Sequence, residues 1–98
     1  MIHNTNEKGK PVNVKNEAVV SMFIEAHLRW VEHNTARQYP EDPYEVRRAE
    51  YAVGQYQGFR DSLRALGFKM ANVSAVIDCE DLAAARLLAE RIVAEATS

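Results

Sequence analysis

The run YPEDP, residues 39–43, interrupts a chain that otherwise offers long helix-compatible stretches. Two prolines and two acids in five residues make a loop, because the residue before each proline is pushed out of the helical region. The sequence on either side must therefore fold back, and short connections favour antiparallel neighbours. The chain restarts on a local code. Asp42 is a good N-cap, Pro43 occupies the first helical position, where a missing N–H costs nothing, and Glu45 stands where a capping box places its acid.

This spacing predicts a helix from Asp42 to about Leu66. Gly67 is the expected left-handed terminator, with Phe68 as the apolar contact after it. Val46, Ala49, Ala52, Val53, Tyr56, Phe59, Leu63 and Leu66 form its apolar face. Ahead of the break, a helix is expected over about Asn16 to Gln38, with Glu17 in its first turn, where the helix dipole favours an acid. Wound at 100° per residue, Ser21, Glu25, Arg29, Glu32 and His33 make one narrow polar stripe. Val19, Val20, Met22, Phe23, Ile24, Ala26, Leu28, Trp30 and Val31 fill most of the circumference. So broad an apolar surface belongs to a helix that is central or packed on both sides.

Residues 69–77, KMANVSAVI, fit a buried strand or a helical turn equally well. A last helix is capped by Asp78 or Asp81 and ends near Ala96, with Leu82, Ala85, Leu88, Ala89, Ile92 and Ala96 inward. PVNVK, residues 11–15, alternates weakly and leaves room for a minor short strand pair. Residues 1–10 read as a flexible polar tail. The expected fold is mainly α: one domain over 11–98, with three helices built on an antiparallel helical hairpin.

Ninety-eight residues are too few to divide into two domains with separate cores. Twelve Lys and Arg against fourteen Asp and Glu give a net charge of −2, which argues against a nucleic-acid binder. One cysteine excludes an intrachain disulfide and suits a reducing compartment. No apolar run is long enough for a membrane span. A cytoplasmic protein without a signal segment is expected.

The oddest feature lies inside the second helix. Gly54 and Gly58 share one side of it, opposite the apolar face, with Arg47, Tyr51, Asp61 and Ala65. Each glycine costs roughly 1 kcal/mol there relative to alanine. A bare side lets another backbone come close, and three occupants are open: a helix of the same chain, such as the last one; a second copy in a two-fold homodimer; or a ligand or foreign protein. The width of the first helix's apolar face favours a second copy.

Two polar residues fall on apolar ground. His27 sits amid Val20, Phe23, Trp30 and Val31, and Asn34 lies one heptad on. Buried polar groups need partners. A backbone carbonyl or tyrosine hydroxyl within the core would serve His27. Pairing of His27 and Asn34 across a dimer is the functional version.

No metal site or cofactor is expected, since His3, His27 and His33 lack ligand spacing and no Cys pair exists. Cys79, in DCED, is flanked by acids that raise a thiol pKa and disfavour catalysis. Arg47, Arg48, Arg60 and Arg64 would suit phosphates, but Glu41, Asp42, Glu45, Glu50 and Asp61 lie among them, so an ion-paired face is expected. No phosphate loop, nucleophile elbow or acid–base pair is present, and no enzyme is expected.

The segment AEYAVGQYQGFRDSLRALGF, residues 49–68, resembles the second helix of small helical proteins encoded by phages and prophages, with their G-x-x-x-G-[LF]-R-x-[AS]-L-x-x-[LA]-G run. It covers about a fifth of the chain. Gly58, Phe59, Arg64 and Ala65 are also similar to positions in hairpin proteins with which phages sequester cyclic nucleotides in an intersubunit pocket, although no binding residue carries over. The resemblance implies an accessory or anti-defence protein of the bacterial host cytoplasm that acts by binding a partner protein. An inhibitor of a CRISPR-type complex is the first concrete form. An oligomeric sponge for a small nucleotide, using Arg47, Arg60 or Arg64, and a structural phage component are the alternatives.

Overall fold

The computed structural model describes residues 14–97, and their side chains from 16 to 96. The chain is mainly α: helices α1 (Val14–Ala36), α2 (Pro43–Ala65), α3 (Met70–Ile77) and α4 (Leu82–Thr97), with no strand among the described residues. The expected tail, 1–10, and most of PVNVK lie outside them, while Val14 and Lys15 of that run begin α1. The expectation of three helices is corrected to four, because residues 70–77 coil rather than extend.

The turn between α1 and α2 follows the local code in all but one detail. The Asp42 carboxylate accepts the Tyr44 N–H at 2.9 Å, with Pro43 at the first helical position. Glu45 does not complete a capping box. It bonds Arg48 at 3.1 Å instead, and the Asp42 N–H goes to the Tyr39 carbonyl. At the far end of α2, Gly67 takes φ +104. Its N–H bonds the Arg64 carbonyl and the Phe68 N–H bonds that of Leu63, the paired bonds of a Schellman stop. Phe68 then meets Phe23 edge to face at 5.1 Å, which closes the corner on the core.

Helices α1 and α2 lie side by side and run antiparallel. His33 reaches Ala49 and, one turn back along α1, Trp30 meets the Tyr56 ring at 4.8 Å, so residue numbers fall on one helix as they rise on the other, and Glu32 bonds Arg48 across the same seam. α1 contacts each of the other three helices, while α4 packs on α1 and α3 and makes no contact with α2. The core gathers Phe23 and Ala26 from α1, Leu63 from α2, Val73, Val76 and Ile77 from α3, and Ala85, Ala89, Ile92 and Val93 from α4. The breadth of α1's apolar surface thus has an explanation within one chain, and it gives no support to a second copy. Val46, Leu66 and Leu82, expected in the core, are exposed.

α3 is short, and eight residues rarely hold a helix unaided. Val73, Val76 and Ile77 give it a buried face at helical spacing. Its C-terminal carbonyls, which lack intrahelical donors, meet the imidazole of His27. The two histidines of α1 thereby fasten two different helices, His27 to α3 and His33 to the Ala49 carbonyl of α2 at 3.0 Å. Asp81 caps α4 by accepting the Ala84 N–H at 2.8 Å, and Asp78 ends α3 instead.

Candidate functional site

The side of α2 that faces away from α1 is where the sequence placed its candidate residues. Arg47, Tyr51, Gly54, Gly58, Asp61 and Ala65 are all exposed there. They follow one another at alternating steps of four and three residues, the spacing of a helical seam. Tyr44 continues the stripe one heptad before Tyr51 and is 66% exposed; Tyr51 is 70% exposed. Sequence reasoning missed Tyr44, although its seven-residue offset from Tyr51 was the available signal.

A Cβ built on Gly54 or on Gly58 meets nothing within 4 Å among the described residues. Of the three occupants left open, none of the other described helices of the same chain covers the bare side. The physical reason is topological: α4 packs on α1 and α3 and not on α2, so no described helix covers the outer face of α2. Within the fold the glycines cost helix stability and permit no contact in return.

Charge on the hairpin is mostly committed. Glu25, Arg29, Glu32, Arg48 and Glu45 alternate in sign along the α1–α2 seam, with contacts of 3.1 to 3.6 Å. Bonding to Glu32 holds the Arg48 guanidinium above its ordinary pKa, against the opposing pull of burial. Arg60 pairs with Asp61 at 3.1 Å and lies over the Tyr56 ring, 5.5 Å from its centre. Arg64 reaches the Met70 sulfur at 3.9 Å. Arg47 forms no ion pair among the described residues. The four arginines do not converge. Arg60 and Arg64 are neighbours, while Arg47 and Arg48 lie on other sides of α2.

His27 is 2% exposed, and its Nδ1 lies 3.2 Å from the Val76 carbonyl and 3.1 Å from that of Ile77. Both oxygens are acceptors, so Nδ1 carries the proton. His27 is thus occupied inside the chain and is not available to pair across a dimer. Asn34 is only half-buried and has no such tie among the described residues.

The Cys79 thiol donates to the Ala75 carbonyl at 3.3 Å. Burial raises its pKa, and Asp81 and Asp78 raise it further, so the nucleophilic thiolate is disfavoured. No group of three or more His, Cys, Asp or Glu is placed to hold a metal ion among the described residues. No helix among them is long and apolar enough to cross a membrane. Comparisons with protein-family models, with curated proteins and with solved structures find no match.

Proposed function

We propose that this chain is a non-enzymatic binding protein that works as a homodimer through the outer face of α2 and occupies a surface of a partner protein. The observation that carries this is the open space over Gly54 and Gly58 on the same stripe as two exposed tyrosines. Helix-weakening residues kept where the fold makes no use of them point to a contact outside the fold. Tyrosine is among the residues that contribute most where protein surfaces meet.

The concrete form is an inhibitor of a CRISPR-type defence complex in the bacterial cytoplasm, which the GQYQGFRDSLRALG resemblance supports. The test is plaque formation by a phage on a host whose CRISPR effector targets it. Expression of the chain should restore plaques, and the restored count should fall for Gly58→Leu, provided that variant keeps its helicity. Undiminished interference across a panel of effector types, with the chain soluble and folded, would overturn the inhibitor proposal.

A nucleotide sponge finds a single supporting feature, Arg47, which forms no ion pair among the described residues. A thermal-shift screen with cyclic dinucleotides addresses it, and an unmoved midpoint at millimolar ligand removes it.

A further inference from the structure

The outer stripe of α2 changes character along its length. Its N-terminal half carries bulk and positive charge: Tyr44, Arg47 and Tyr51. Its C-terminal half carries bare backbone and negative charge: Gly54, Gly58, Asp61 and Ala65. We propose that the occupant of this stripe is α2 of a second copy, packed antiparallel about a two-fold axis, with residue 51 of one copy beside residue 54 of the other. This rests on the homodimer reading above and gives it a geometry.

Antiparallel packing lays each half of the stripe on the opposite half of its mate. In this register the facing numbers are 44 and 61, 47 and 58, and 51 and 54. Helical side chains lean toward their own N-terminus. Tyr51 therefore leans from Gly54 of the second copy onto its Gly58, where the missing Cβ leaves room for a ring. Arg47 and the second copy's Asp61 lean toward each other. Tyr44 leans toward the second copy's Ala65. By symmetry each contact occurs twice.

A parallel pair would instead set ring on ring, guanidinium on guanidinium and carboxylate on carboxylate. A foreign helix would not require one stripe to be complementary to itself in both size and sign, whereas a two-fold contact does. Asp61 can serve two arginines. It bonds Arg60 of its own chain through Oδ1 while 68% of its side chain stays exposed. Glycine at 54 and 58 then has a use that the monomer does not supply.

A single helix pair is a small interface, so the dimer should form in a concentration-dependent manner. Sedimentation velocity from micromolar to near-millimolar protein is the measurement. The wild-type chain should pass from monomer to dimer. Arg47→Glu should weaken the dimer about tenfold, by removing two exposed ion pairs and opposing like charges. The double variant Arg47→Glu, Asp61→Lys should recover most of that loss. Gly58→Leu should be monomeric with unchanged helicity.

A wild-type chain that stays monomeric throughout would overturn the proposal. So would a dimer indifferent to both Arg47→Glu and Gly58→Leu, and a charge-swapped double variant no tighter than the single one. The phage assay separates the two levels: plaques restored by a monomeric wild type sink the dimer alone, and a dimer that restores none sinks the inhibitor alone.

Discussion

The imidazole of His27, on α1, donates from Nδ1 to the Ile77 carbonyl at the C-terminal end of α3, 3.1 Å away. The contact spans 50 residues of sequence and lies in the core. The Val76 carbonyl shares the same proton at 3.2 Å but also receives the Cys79 N–H, so the Ile77 carbonyl depends more on the ring. The end of an eight-residue helix, capped at Asp78, is thus held in part by a side chain from another element.

Replacing that donor leaves a buried acceptor unsatisfied, which costs about 1–3 kcal/mol. His27→Leu, close in volume, should lower stability by that amount. His27→Ala adds a cavity and should cost more, about 2–5 kcal/mol in all. Urea unfolding gives the order, and amide exchange should speed up first in α3. Stability unchanged in His27→Leu would show that α3 holds its end without the imidazole.

Gly54 and Gly58 carry the opposite expectation. With open space at both Cβ positions, alanine brings only a gain in helix propensity, about 0.5–1 kcal/mol at each site. Both Gly54→Ala and Gly58→Ala should raise the urea midpoint at concentrations low enough to keep the chain monomeric. In concentrated solution the same methyl groups would crowd the proposed Tyr51 contact, so association should weaken as the monomer strengthens. A lower midpoint in dilute solution would mean that the glycines face something within the chain.

What was legible in the sequence were features encoded within a few residues of each other. Asp42 and Pro43 start α2, and Gly67 with Phe68 stops it, because caps and stops are made by adjacent groups. The exposed stripe was legible for the same reason, since helical spacing alone places Arg47, Tyr51, Gly54, Gly58, Asp61 and Ala65 together. α3 was not legible. Val73, Val76 and Ile77 fit either conformation, and the group that helps to settle the matter, His27, lies 49 residues before Val76. Burial was only partly legible. Leu82 and Leu66 continue apolar faces by periodicity, yet both fall at helix ends, beyond the reach of the packed neighbours. α1's wide apolar surface was legible from periodicity, but what covers it was not, because the helical state of residues 70–77 that adds a further packed helix is set by distant contacts.

Gly67 offers the complementary test to Gly54. A Cβ at residue 67 also meets nothing within 4 Å, but the backbone there has φ +104, a region that L side chains rarely adopt. The penalty for Gly67→Ala is therefore one of backbone conformation, about 1–2 kcal/mol, with no steric contribution from neighbours. The same substitution should thus stabilise at 54 and destabilise at 67. Paired urea curves check both signs, and a Gly67→Ala variant as stable as wild type would show that the turn after α2 can close another way.

Cys79 ties the corner between α3 and α4 to pH. Its thiol is held by the Ala75 carbonyl at 3.3 Å, and burial, Asp81 and Asp78, in that order, raise its pKa. The folded state therefore binds the thiol proton more tightly than the unfolded chain does. The stability this confers is complete below the unfolded thiol's ordinary titration range and is lost as pH rises through the raised folded value. Reaction with an aromatic disulfide reagent at mildly alkaline pH should accordingly be slower in the folded protein than in urea-unfolded chain. Asp78→Asn, which removes one raising charge without touching the Asp81 cap of α4, should speed the folded reaction and leave the unfolded rate almost unchanged. A folded thiol that reacts as fast as the unfolded one would remove Cys79 from the set of groups that make this corner sensitive to pH.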